Sequence, residues 1–226
     1  MKSGLTSSVS RRRMVTATAG LGLGLSLGKT RPIAAKELRF DLAHSLDGWE
    51  TIAGSWSVED VSGADGGRAL VQRATTNSFN VIVAPDGSFG NVEVAVRFKP
   101  ISGREDASGG IVFRFADGHY YVVRANALED NFNFYYYEPN SILASVIGGR
   151  HYITGVSMKA PAFGQWHQLR ISADGDHIQG WINGQRLIDH RDGRFAAGRA
   201  GLWTKADSVT AFDNFVVTPI SADGSR

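Results

Sequence analysis

From Lys36 onward the apolar residues of this 226-residue chain alternate with polar ones far more often than they recur at three-and-four spacing. Alternation puts successive side chains on opposite faces of an extended backbone, whereas a buried helical stripe needs the longer period. Between Asn91 and Pro100, residues Val92, Val94, Val96 and Phe98 share one face and Glu93, Ala95, Arg97 and Lys99 the other. Lys99-Pro100 predicts the end of that strand, because proline withholds a ladder donor. Residues 109–125 read as a hairpin turning at Asp117-Gly118. In residues 131–138, Phe132, Phe134 and Tyr136 fall on one face and Asn133, Tyr135 and Tyr137 on the other. The first set suits a core and the second a wet groove. Residues 164–192 give three strands joined at 173–176 and at Asn183-Gly184, and residues 199–217 give the last two. With short runs at Phe40–Leu42, Trp56–Asp60 and Ala69–Ala74 the expectation is ten to twelve strands and no helix. Such a chain is expected to be all-β, one antiparallel sandwich or barrel over residues 36–220, in which two sheets packed face to face would bury the alternating apolar sets.

The stretch Tyr120–Asn131 changes character halfway. Aromatic and β-branched residues give way to Arg124, Asn126, Glu129, Asp130 and Asn131. A two-residue turn at Asp117-Gly118 would pair Phe115 with Tyr120, Phe113 with Val122 and Ile111 with Arg124. Arg124 and Asn126 would then share the side of Ile111, Phe113 and Phe115, with Arg114, Tyr121 and Val123 on the other. Two readings stay open here. Arg124 caps the edge of the core, paired with Glu129 or Asp130, while Asn126 and Asn131 satisfy loop backbone. Alternatively the strand end opens into a cleft on the concave sheet, where these residues hydrogen-bond sugar hydroxyls and Tyr135, Tyr137 or Trp203 stacks on a ring. Trp203 to Asp207, with Lys205, carries a similar mixture. Trp49, Trp166 and Trp181 are assigned to the core.

Charge changes the picture mainly at the N-terminus. Residues 1–35 hold six basic residues and no acidic ones, so removing them from the formal +2 leaves a body of −4. A mildly acidic body gives nucleic acid no basic face to bind. Arg11-Arg12-Arg13 precede a weakly apolar run from Met14 to Leu27, with small residues at Ala34 and Ala35. This is the layout of an export signal, and the paired arginines resemble the twin-arginine type. The apolar run is too short to span a bilayer. The expectation is a cleaved leader over 1–35, a periplasmic or secreted body that leaves the membrane, and a disordered tail over 221–226. The absence of cysteine excludes disulfides, thiolate metal sites and a cysteine nucleophile.

The motifs WHQLRI, the later NG, GRAGLW and FDNF, with SWSVED and YYVVRANALEDN, resemble the concanavalin A-like lectin and glucanase group. More narrowly they resemble the bacterial domain family named for 3-keto-disaccharide hydrolases. The resemblance implies a jelly roll that recognises carbohydrate. The acidic E-x-D-x-x-E run of the glucanases is absent, which argues against laminarinase-type hydrolysis by two opposed carboxylates. Neither G-x-S-x-G nor H-E-x-x-H occurs, and the six histidines are scattered. Hydrolysis of a 3-keto sugar, by analogy with the family, would use Glu129 or Asp130 as base and Arg124 or a metal to stabilise the enolate. The resemblance also makes calcium a candidate, with Asp41 and Asp213 on neighbouring terminal strands as ligands. Saccharide binding without catalysis is the first expectation. A 3-keto-glycoside hydrolase and an envelope protein-interaction module are the alternatives.

Overall fold

A computed structural model describes residues 36–221 apart from 77, 86, 140–148 and 160. The expected leader and residues 222–226 of the expected tail lie outside the described residues. Fifteen strands are described, more than the sequence predicts. They are β1 (Leu38–Phe40), β2 (Glu50–Ala53), β3 (Trp56–Asp60), β4 (Arg68–Gln72), β5 (Phe79–Val83), β6 (Val92–Ser102), β7 (Ser108–Ala116) and β8 (His119–Asn126). They continue with β9 (Asn131–Tyr137), β10 (Arg150–Ser157), β11 (His167–Asp174), β12 (His177–Ile182), β13 (Gln185–Arg191), β14 (Arg199–Lys205) and β15 (Val209–Pro219). A 3-10 turn at Asp65–Gly67 is the sole helical element among the described residues.

The strands form two antiparallel sheets. One runs β13-β12-β11-β6-β15-β4-β3, with β1 added along β15, and the other runs β10-β9-β8-β7-β14-β5-β2. Their facing sides interdigitate into the main core, which draws Val94, Val96, Phe98, Ile171 and Phe212 from the first sheet and Ile111, Phe113, Tyr121, Phe132 and Phe134 from the second. A second apolar cluster lies on the outer face of the seven-stranded sheet, containing Val81, Val83, Val112, Val122, Tyr135 and Trp203. That sheet is therefore apolar on both sides, which an ordinary solvent-facing sheet is not.

Two sequence expectations change here. β6 does not stop at Pro100. It continues to Ser102, with a register shift where Pro100 and Ser102 meet Thr210 and Val209 of β15, so the missing proline donor falls at an irregularity of the ladder. Trp181 is also not core, and Trp166 packs on a separate small apolar cluster with Val61, Val71 and Val209 rather than on the main core. Trp181 alternates with buried Ile178, Gly180 and Ile182 and takes the Arg170 guanidinium 3.7 Å from its ring centroid. Trp166 is half-buried, with Arg97 at 4.8 Å over its ring. Trp49 does meet the core, against Phe40 and Phe215.

The β7–β8 hairpin carries the decisive irregularity. Ala116 pairs with His119, but the next pair is Phe113 with Tyr121, so Arg114 and Phe115 together oppose Tyr120. This is a β-bulge, with Arg114 in the left-handed region at φ 52°. Its buried guanidinium holds the bulge in place. Nε and Nη2 donate to Gly90 O at 3.1 and 2.7 Å, Nη2 also to Gly175 O at 2.6 Å, and Nη1 to Phe195 O at 2.9 Å. One extra residue slips every later pair by one, and a one-residue slip moves a side chain to the other face. Arg124 therefore pairs with Gly110 rather than Ile111. It faces outward with Val122 and Tyr135, while Tyr121 and Val123 turn into the core. The predicted parity is corrected by this one bulge.

Because the Arg114 guanidinium ties three loops at once, Arg114→Ala is expected to lower the free energy of unfolding by ~3 kcal/mol. Urea denaturation reads this directly. Arg114→Lys should recover little, since an ammonium on a single stem does not reproduce the planar fork.

Candidate functional site

On the outer face of the seven-stranded sheet lies a pocket of roughly 910 Å³. Its lining comes from strands far apart in sequence. β5 gives Phe79 and Val81, β8 gives Tyr120, β9 gives Tyr135 and Tyr137, β10 gives Arg150 and Tyr152, and β14 gives Lys205. The pairings Tyr120 with Tyr137, Val122 with Tyr135, and Tyr135 with Tyr152 bring these rings side by side. Tyr120 and Tyr137 stack at 4.8 Å with planes 13° apart. Tyr152 is 60% exposed, so an aromatic face stands open at the rim. Arg150 lies among rings, 4.4 Å from the centroid of Tyr135, 5.2 Å from Phe79 and 5.8 Å from Trp203.

Beneath this floor runs a buried polar network. Arg124 is 1% exposed, and Gly110 lies opposite it, where an added Cβ would approach the Arg124 Cβ to 3.0 Å. Arg124 Nη2 donates to Glu129 Oε2 at 2.7 Å and to the Tyr135 hydroxyl at 3.2 Å. Its Nε and Nη1 are buried and make no hydrogen bond. Asn133 Nδ2 donates to the same Tyr135 hydroxyl at 2.9 Å. With two donors aimed at its oxygen, Tyr135 keeps its own O–H proton to donate elsewhere. Gly155 makes room for Asn133, since a Cβ there would sit 1.9 Å from Asn133 Oδ1.

Two carboxylates balance the network. Glu129 Oε2 also accepts from Asn131 Nδ2 at 3.1 Å. Burial works against the Glu129 charge, but the hydrogen bond and charge of Arg124 outweigh it and hold the pKa below the ordinary value. Burial likewise disfavours the Arg124 cation, but Tyr135, Asp106 and Glu129 overcome it and hold its pKa high. Asp106 is fully buried. It accepts from the Ser108 hydroxyl and from Ser208 Oγ at 3.0 Å, and Lys205 Nζ stands 3.8 Å away. The loop carrying Asp106 is fixed by Asp207, whose carboxylate accepts the backbone N–H groups of Arg104, Glu105 and Asp106.

The family profile described as the 3-keto-alpha-glucoside-1,2-lyase-like domain matches residues 37–218. The chain belongs to that family. Among curated proteins it is similar to a levanase of Bacillus subtilis (strain 168), at 26% identity over 174 residues and 75% of this chain. It spans only 22% of that relative's length. Among solved structures it resembles carbohydrate-binding module CBM66 from Bacillus subtilis, at 20% identity, a TM-score of 0.63, and coverage of 76% of this chain and 95% of the other. It also resembles the exoplasmic/lumenal domain of VIP36 in its Ca2+/Man3GlcNAc-bound form, at 10% identity, a TM-score of 0.63, and coverage of 83% and 90%. At these identities the two structures share the concanavalin A-like sandwich with this family member.

The structure divides the residues singled out in the sequence. Tyr135, Tyr137 and Lys205 line the pocket. Arg124, Glu129 and Asn131 form the network below and beside it. Asn126 shapes the β8–β9 turn, its Oδ1 accepting from Leu128 N at 2.8 Å. Arg124 thus pairs with Glu129 beneath the pocket and does not itself line it. Asp130 sits on the exposed turn at φ 50° and does not line the pocket. Trp203 cannot stack on a ligand directly, because it is 0% exposed and Phe79 lies over it at 5.5 Å. Sequence reading missed Phe79, Arg150 and Tyr152. Their runs show little alternation, and only strand pairing brings them to Tyr135.

Asp41 and Asp213 do share a shallow depression beside β1 and β15. Asp213 is occupied by Arg97 at 2.8 and 2.5 Å and by Asp65 N at 2.9 Å. Asp41 meets Ala43 N at 3.0 Å and His44 at 2.7 Å. Among the described residues no three His, Asp or Glu side chains gather as a metal group. No helix among them is long and apolar enough to cross a membrane.

Glu129→Gln leaves Arg124 without its carboxylate. At pH 7 the variant is expected to unfold about 1–3 kcal/mol more easily, less than a fully buried pair because Glu129 is partly exposed. The folded-state pKa of Glu129 lies below its ordinary 4.5. The pair therefore stabilises fully above that value, and its contribution fades as pH falls through the folded pKa. Urea midpoints of wild type and variant should converge as acidification carries the pH through the lowered folded pKa of Glu129.

Proposed function

We propose that the pocket on the outer face of the seven-stranded sheet binds a saccharide. The observation that carries this reading is the aromatic lining of Tyr135, Tyr137 and Phe79, with Tyr152 exposed at the rim, set beside polar donors. A sugar ring offers an apolar C–H face and a fringe of hydroxyls. The rings match the face. The Tyr135 hydroxyl, held from below by hydrogen bonds from Arg124 and Asn133, and Lys205 match the fringe. The pocket is large enough for one to three sugar rings. The sugar-binding names of the structural neighbours and the levanase likeness support the same class of ligand. The export layout of residues 1–35 fits work in the periplasm or outside the cell.

A second reading takes the family description at its word. In a 3-keto-glucoside, the carbonyl acidifies the C2–H bond. A base removes that proton, its electron pair forms the C1–C2 double bond, and the C1–O bond breaks, the leaving oxygen taking up a proton. Glu129 is a poor base for this step, since Arg124 holds it as a counter-ion. Tyr135, which keeps its O–H proton and has its edge on the pocket, is placed instead to give the leaving oxygen its proton.

Mature protein incubated with ordinary and 3-keto disaccharides, followed by mass spectrometry and calorimetry, separates the two. Binding without cleavage supports recognition alone. Loss of a 3-keto disaccharide to an unsaturated monosaccharide supports the lyase reading, and Tyr135→Phe should then abolish turnover while keeping affinity within about threefold. In either case Phe79→Ala and Tyr135→Ala should weaken binding by about tenfold or more, since each removes a stacking face worth roughly 1–2 kcal/mol. Absence of any sugar binding would overturn both readings.

A further inference from the structure

The charges around the pocket do not balance. Arg124 is met by Glu129 at 2.7 Å, and Lys205 by Asp106 at 3.8 Å. Arg150 has no carboxylate partner among the described residues, and its Nη1 is buried without a hydrogen-bond acceptor. The adjoining stretch 140–148 contains no acidic residue that would serve. Three cations therefore share two carboxylates. Burial, together with the like charge of Arg124, holds the Arg150 pKa below the usual arginine value despite the nearby Tyr135, Asp106 and Glu129.

The rings around Arg150 do not remove this deficit. Tyr135, Phe79 and Trp203 surround the guanidinium and stabilise its charge. The N–H groups of a guanidinium point outward in its own plane, so they still need acceptors. The rings also fix its orientation and exclude water, which strengthens any ion pair formed there. A buried charge is stable when paired and hydrogen-bonded. Arg124, with two further unpaired N–H groups under Tyr135, adds positive potential from the same side.

We infer that this pocket selects a saccharide bearing a carboxylate, a uronic acid unit, which lies on the aromatic floor with its carboxylate against Arg150. The inference rests on the saccharide reading and names its substrate class. The excess is a single positive charge, which one carboxylate neutralises. The planar fork of one guanidinium also fits a planar carboxylate better than a tetrahedral anion.

The test uses matched disaccharides that differ only at C6, neutral alcohol against carboxylate, titrated calorimetrically into mature protein. Wild type should bind the uronic member at least tenfold more tightly, with the advantage shrinking as salt rises. Arg150→Gln should cost the uronic member at least tenfold more affinity than it costs the neutral one, and a urea midpoint close to that of wild type shows that the variant is folded. Arg150→Lys, which keeps the charge without the fork, should retain part of the uronic advantage. Equal affinity for the two members in wild type, or an uronic preference that survives Arg150→Gln, overturns the inference while leaving saccharide binding intact. No binding to either member sinks the saccharide reading as well. A C6-phosphorylated sugar that binds as tightly as the uronic one overturns the commitment to a carboxylate.

Discussion

The structure turns on one extra residue held by one buried guanidinium. The bulge at Arg114 decides which face each later residue of the β7–β8 hairpin presents, and the hairpin lies at the centre of the seven-stranded sheet. Without it, Arg124 would point into the apolar interior between Ile111 and Phe113, where an arginine has no partner and a large desolvation penalty. With it, Arg124 comes out under Tyr135 and within reach of Glu129. The same guanidinium ties Gly90, Gly175 and Phe195, so the loops at that end and the register of the sheet are set together.

From that constraint the site follows in layers. Glycines at 110 and 155 admit Arg124 and Asn133. Asn126 bends the turn that delivers Glu129 to Arg124. Asp207 gathers three backbone N–H groups and so fixes the loop that brings Asp106 toward Lys205. The visible floor of rings is the last layer, and it stands on residues that a ligand never meets. Such support is how a loop-edged pocket keeps its polar atoms in place without ligand.

Much of the fold was legible because burial writes itself into alternation. Val92 to Phe98, and Phe132 and Phe134 against Tyr135 and Tyr137, lie on the faces their spacing predicts. The bulge was not legible, since a non-glycine residue at positive φ leaves no mark in the sequence. The strand parity therefore failed for Arg124, although its pairing with Glu129 was foreseen. Arg150 and Phe79 were invisible for another reason. They meet Tyr135 through pairings of β10 with β9 and through the sheet order, and no local pattern encodes neighbours 15 and 56 residues away. Trp203 was read by residue type alone, and the ring lying over it decided its exposure.

The half-buried ion pair beneath Tyr135 sets stability and recognition against each other. Exchanging Arg124 and Glu129 together for apolar residues of similar volume would remove the desolvation penalty and leave the sandwich equally stable or more so. It would also remove the Arg124 donor that orients the Tyr135 hydroxyl. Melting temperature is thus a misleading guide to fitness at this position. A library ranked on heat resistance would drift toward a sturdier sandwich with an inert face.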